Sequence, residues 1–149
     1  MAGATIAVAS DHAGFDLKEI LKSDLQQAGY AVLDLGTNST ASVDYPDFGM
    51  ALADAIASGR ANKGVLVCGT GIGISIAANR NPMVRAAIVH DVTSARLSRL
   101  HNDANVVAFG QRLIGTETAR EALRVFLATE FEGGRHAGRV AKLSKGCTT

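Results

Sequence analysis

The sequence predicts an α/β fold: a three-layer αβα sandwich around a doubly wound, five-stranded parallel sheet of Rossmann-like type. Three observations predict it. Five short apolar runs are continuous rather than alternating, as strands covered on both faces must be. Between them lie stretches with apolar residues at i, i+3 and i+4, the spacing of an amphipathic helix. The two kinds of segment alternate from end to end, and right-handed crossovers then place helices on both faces of one sheet.

The apolar runs are residues 5–9, 31–35, 65–68, 86–89 and 106–109, read as central strands. After the first, Leu17, Ile20, Leu21, Leu25 and Ala28 form one helical stripe, with Gly29 where a helix takes a left-handed terminator. Phe48, Leu52, Ala55 and Ile56 repeat the pattern ahead of Gly59. Ala119, Ala122, Leu123, Phe126 and Leu127 do so again, with Thr118 and Glu121 spaced as a capping box. Residues 132–149 form a helical tail beyond the fifth strand, where Arg135, Arg139 and Lys142 share a face.

The 149 residues fit one domain, 1–149, large enough to hold itself together without disulfides or metal. With 47% hydrophobic and 19% charged residues, 16 Gly and 2 Pro, the composition excludes disorder. A formal charge of +1 provides no global field for nucleic acid or an anionic membrane, and only seven aromatic residues are available for base stacking. The charge is uneven: residues 1–79 carry 4 basic and 8 acidic groups, residues 80–149 carry 11 and 6, with nine of the ten Arg in the second part. Arg grips carboxylate or phosphate with two parallel hydrogen bonds, so a small anionic ligand is expected. Cys68 and Cys147 match neither a disulfide framework nor zinc spacing, and no apolar run reaches the roughly 20 residues of a membrane span. A cytoplasmic location is the expectation.

In such sheets ligands bind outside the carboxyl ends of the strands. Those ends carry Ser10-Asp11-His12, the loop to Asp44-Tyr45-Pro46, Cys68-Gly69-Thr70-Gly71-Ile72-Gly73, His90-Asp91 and Gly110-Gln111-Arg112. The alternating glycines after Cys68 suit a concavity of N–H groups at a helix start, either a phosphate cradle or an oxyanion hole. A dinucleotide fingerprint would need Gly at position 74, which is Ile74, and a P-loop would need Gly-Lys-Ser/Thr. A thiol beside those dipoles serves as nucleophile or general base, with His12, His90 and His101 available to pair with it, and Asp11, His12 and His101 supply acid/base capacity.

Ser10-Asp11-His12-Ala13-Gly14-Phe15, Asp44-Tyr45-Pro46, the run from Cys68 through Gly73-Ile74-Ser75 to Asn79, His101-Asn102-Asp103-Ala104-Asn105 and Glu132-Gly133-Gly134-Arg135-His136 resemble the type B ribose-5-phosphate isomerases, in the family that also holds the galactose-6-phosphate isomerase subunits. The resemblance covers nearly the whole chain. It implies an aldose–ketose isomerase that needs no metal and no cofactor, interconverting ribose 5-phosphate and ribulose 5-phosphate through an enediolate. It makes Cys68 the base, with the amides of Gly69, Gly71, Ile72, Gly73 and Ser75 on the enediolate oxygens and the Thr70 hydroxyl exchanging their proton. It gives ring opening to Asp11 and His101, the phosphate grip to His12, Arg112, Arg135 and Arg139, and other pocket positions to Tyr45, Asp44 and Asn102. It further implies a homodimer or dimer of dimers with shared active sites, in which His101, Asn102 and Arg112 come from the neighbour of the chain supplying Cys68. Isomerases of allose 6-phosphate, galactose 6-phosphate or a tetrulose phosphate share the catalytic group. A non-catalytic sugar-phosphate sensor would use the same crevice without needing Cys68.

Overall fold

The computed structural model describes residues 3–145, which leaves Cys147 outside the described residues. Five strands, β1 (Thr5–Ser10), β2 (Ala31–Asp34), β3 (Lys63–Cys68), β4 (Ala86–Ile88) and β5 (Val106–Gly110), form one sheet in the order β2-β1-β3-β5-β4. Every pairing is parallel. Six α-helices connect and follow them: α1 (Phe15–Gln27), α2 (Tyr45–Ala57), α3 (Ile72–Ala78), α4 (Val92–Asn102), α5 (Thr116–Ala128) and α6 (Arg135–Leu143). A 3-10 turn, His12–Gly14, joins β1 to α1.

The strand order explains which face each helix takes. The chain steps from β1 outward to β2, then crosses back past β1 to β3 and on to the far edge at β4, before returning to β5. Right-handed crossovers then put α1 and α4 on one face, α2 and α3 on the other. Strand residues alternate accordingly. Ile6, Val8, Val65, Val67, Val107 and Phe109 pack with Leu21, Ala95 and Phe126, while Ala7, Ala9, Leu66, Cys68 and Ala108 pack with Leu52, Ile74 and Ala78. Cys68 thus projects to the α2/α3 side of the sheet.

Two expectations change on contact with the structure. The runs at β2 and β4 are edge strands rather than central ones, and their residues are partly exposed. Continuous apolar character signals cover on two faces, but it does not report whether a neighbour pairs on both sides. The capping box at Thr118 and Glu121 is absent, because α5 begins at Thr116 after Gly115 and no side chain caps it. Gly29 and Gly59 do adopt the left-handed conformation, at φ +93° and +78°.

Candidate active site

Where β1 and β3 lie side by side, the chain leaves them toward opposite faces, and a crevice opens at their carboxyl ends. The crevice is about 530 Å³ and is lined by Asp11, His12, Ala13, Tyr45, Cys68, Gly69, Thr70, Ile72, Gly73, Ile76 and Arg112. Residues more than 100 positions apart in sequence therefore share one wall.

Cys68 closes β3 and is buried, at 4% exposure. The chain turns immediately after it, and Gly71, in the left-handed region at φ +79°, directs its N–H onto Cys68 Sγ at 3.1 Å. A Cβ at Gly71 would also stand 3.0 Å from the Phe109 backbone, so both conformation and space call for glycine. Thr70 Oγ1 accepts the Ile72 N–H at 3.2 Å, which leaves its own hydroxyl hydrogen to be donated elsewhere. Gly73 has no side chain because the Tyr45 ring occupies the place where one would be, 2.4 Å from an added Cβ.

On the β1 side, Asp11 is 6% exposed and its Oδ1 accepts the Gly14 N–H at 3.1 Å. It caps its turn and lines the crevice at once. His12 Nδ1 accepts the Val43 N–H at 3.1 Å. That bond selects the tautomer with hydrogen on Nε2, which makes His12 a donor toward an anion. Arg112, which follows β5, lies against Gly69, its guanidinium nitrogen 3.1 Å from the position of an added Cβ there. The chain that supplies Cys68 also brings its own Arg112 to the crevice.

The remaining expected residues lie elsewhere. His101 and Asn102, at the end of α4, border a separate cavity of about 280 Å³ with His136, Arg139, Val140 and Leu143. Arg135 begins α6 and lines neither cavity. Asp44 precedes α2 without lining the crevice that the next residue, Tyr45, borders. Ser75 is buried inside α3 and donates its hydroxyl to the Ile72 carbonyl at 2.8 Å. Its amide goes to the Gly71 carbonyl, so Ser75 supports the turn and contacts no open space. His90 ends the β4 run, exposed and outside the crevice.

Sequence reasoning missed Ile76, whose place one turn after Ile72 on α3 was a signal for a shared face, and it missed Ala13. It also assigned no role to His136. That ring stacks on His101, centroids 4.4 Å apart and planes 17° from parallel. Burial, with Arg135, His101 and Arg139 nearby, holds the His136 imidazole below its ordinary pKa, against an opposing pull from Glu132.

Residues 6–143 match the family model described as Ribose/Galactose Isomerase. Ribose-5-phosphate isomerase B of Escherichia coli is 45% identical over 139 residues, 93% of this chain and 93% of that protein. D-erythrulose-4-phosphate isomerase of Pectobacterium atrosepticum is 44% identical over 140 residues, 93% of this chain and 92% of that protein. The solved structure of Clostridium thermocellum ribose-5-phosphate isomerase B superposes with a TM-score of 0.94 at 48% identity, covering 95% of each chain.

Proposed function

Because this chain belongs to the ribose/galactose isomerase family and is an aldose–ketose isomerase of sugar phosphates, we propose that its substrate pair is ribose 5-phosphate and ribulose 5-phosphate, with Cys68 as the base. The observation that carries this reading is the thiol of Cys68 at the mouth of the β1/β3 crevice, facing the Gly71 N–H and surrounded by Asp11, His12, Thr70 and Arg112. Proton abstraction beside a carbonyl needs a base within reach and donors where oxygen gains charge, and this corner of the sheet supplies both.

In the proposed sequence, Asp11 and His101 move a proton from the anomeric hydroxyl to the ring oxygen, which frees the aldehyde. Cys68 takes the hydrogen from C2, and the electron pair moves onto O1 to form the enediolate. Thr70 relays a proton between O2 and O1, and Cys68 returns its proton to C1, so that the aldose becomes the ketose with no net change in atoms. The loop's own hydrogen bonds occupy the amides of Gly71, Ile72 and Ser75. The amides of Gly73 and Ile74, at the start of α3, are the better candidates for the enediolate oxygens. His12 and Arg112 bind phosphate away from the bond changes, where binding energy orients the sugar.

His101, Asn102, Arg135 and Arg139 lie outside that crevice in one chain. The reading therefore includes a homodimer in which one subunit's α4 and α6 complete its neighbour's crevice.

The experiment is turnover on ribose 5-phosphate, allose 6-phosphate, galactose 6-phosphate and erythrulose 4-phosphate, with wild type and Cys68→Ala. The expected result is highest kcat/KM on ribose 5-phosphate, and turnover abolished in Cys68→Ala with phosphate affinity kept. Undiminished turnover in that variant would remove Cys68 as base. The erythrulose-4-phosphate arm tests a second reading, favoured by the 44% identity to a relative named for that substrate.

A further inference from the structure

Glu132, His101 and His136 meet outside the β1/β3 crevice. One donor atom from each lies within 4.8 Å of the other two, and His136 Nε2 stands 3.9 Å from Glu132 Oε1. A second observation is independent of that spacing. His136 is only 6% exposed, yet among the described residues its Nε2 has no hydrogen-bond partner. A buried imidazole nitrogen left without a partner is a cost, and a ligand at that nitrogen removes it.

The geometry points to a divalent transition-metal site formed by His101, Glu132 and His136, which takes Zn²⁺ or a similar ion and inhibits the isomerase when filled. Two imidazoles and one carboxylate suit Zn²⁺, Co²⁺ or Ni²⁺, whereas Mg²⁺ and Ca²⁺ prefer oxygen alone. Three donors on a tetrahedral ion at about 2.1 Å stand about 3.4 Å from one another. Reaching that spacing draws in the exposed Glu132 carboxylate and turns the half-buried His101 ring out of its stack on His136. The cavity of about 280 Å³ beside the two rings leaves room for a fourth ligand, and Arg139 on its wall favours an anion there. The inhibitory consequence rests on the proposed role of His101 in ring opening. The binding itself does not.

The test uses the untagged, full-length Cys68→Ala chain, which removes the crevice thiol as a competing ligand, titrated with Co²⁺ alone. The expected result is one Co²⁺ per chain, with visible absorption bands and paramagnetic shifts on the ring protons of His101 and His136. Glu132→Gln, at an exposed position, should weaken Co²⁺ binding about tenfold or more, and His136→Phe should abolish it. Affinity unchanged in both variants, or a thiolate charge-transfer band from Cys147, would overturn the site. In the Cys68-containing chain, Zn²⁺ should lower turnover. Glu132→Gln should match wild type without metal and need about tenfold more Zn²⁺ for equal inhibition. If no sugar phosphate turns over, the Co²⁺ result still stands. If turnover is normal and Co²⁺ fails to bind, only the site is lost.

Discussion

Gly14 and Gly73 face the same question of space against different neighbours, and the answers differ in sign. A Cβ at Gly14 would lie 2.5 Å from the Val67 carbonyl carbon and oxygen, backbone that cannot step aside without disturbing β3. Gly14→Ala should therefore cost about 1–3 kcal/mol or more, read as a lower midpoint in chemical denaturation. At Gly73 the obstacle is the Tyr45 ring, which is 43% exposed and free to swing into solvent. Gly73 lies within α3, where Ala favours helix by roughly 0.5–1 kcal/mol. Gly73→Ala should keep or raise the thermal midpoint while raising KM, because the displaced ring no longer borders the crevice. A drop in midpoint as large as that of Gly14→Ala would show that Tyr45 cannot move. At this scale the sequence was most informative where one residue type has one use. The glycines after Cys68 announced a turn with inward amides, and Asp11 beside His12 announced polar groups at a strand end. Ser75, whose amide the resemblance places on the enediolate, gives that amide to the Gly71 carbonyl inside the turn, a pairing the residue order does not reveal.

Among the elements, the edge strand β2 shows how helix and sheet are tied. Lys18 on α1 is 1% exposed, and its ammonium reaches Asp34 at the end of β2 at 2.9 Å, while Lys22 reaches the other carboxylate oxygen at 2.8 Å. Burial opposes the charge on Asp34, but hydrogen bonds from Lys22, the Gly36 N–H and Lys18 outweigh it and hold the carboxyl below its usual value. A carboxyl with a lowered native pKa contributes stability that is fully present above its unfolded value, about 3.9, and is lost as pH falls through its native value. Asp34→Asn leaves the buried Lys18 ammonium with Glu19, 3.7 Å away, as its one ion-pair partner among the described residues, and should cost about 3 kcal/mol at pH 7. The difference from wild type should shrink as pH falls below about 3.9, which urea denaturation at pH 7 and pH 3 measures. A constant difference across that range would refute the ion pair as its source. Lys18→Met removes the buried charge itself and should be nearly neutral. Helical periodicity located α1, α2 and α5 from sequence, since a one-faced stripe depends only on neighbours three and four residues away. The start of α5 was misplaced because Thr118 and Glu121 carry the right side chains for a cap one half-turn inside a helix already begun.

In the molecule as a whole, one chain holds two separate cavities: the β1/β3 crevice with Cys68, and the α4/α6 cavity with His101, Asn102 and Arg139. The proposed dimer joins them across subunits, which makes a specific expectation. Cys68→Ala and His101→Ala chains should each be inactive on ribose 5-phosphate alone, and mixing them under conditions that exchange subunits should restore a fraction of wild-type turnover. No recovery, with exchange verified by native mass spectrometry, would refute the shared site. The alternation of apolar runs and amphipathic stripes determined the layers and the edge of the sheet where the crevice opens, because both follow from local periodicity and the handedness of crossovers. The sequence did not determine that β5 sits between β3 and β4, that Arg112 lies against Gly69 in the same chain, or that His136 stacks on His101. Those contacts join segments tens of residues apart, and their geometry exists only once the strands have taken their order and the helices have packed on them.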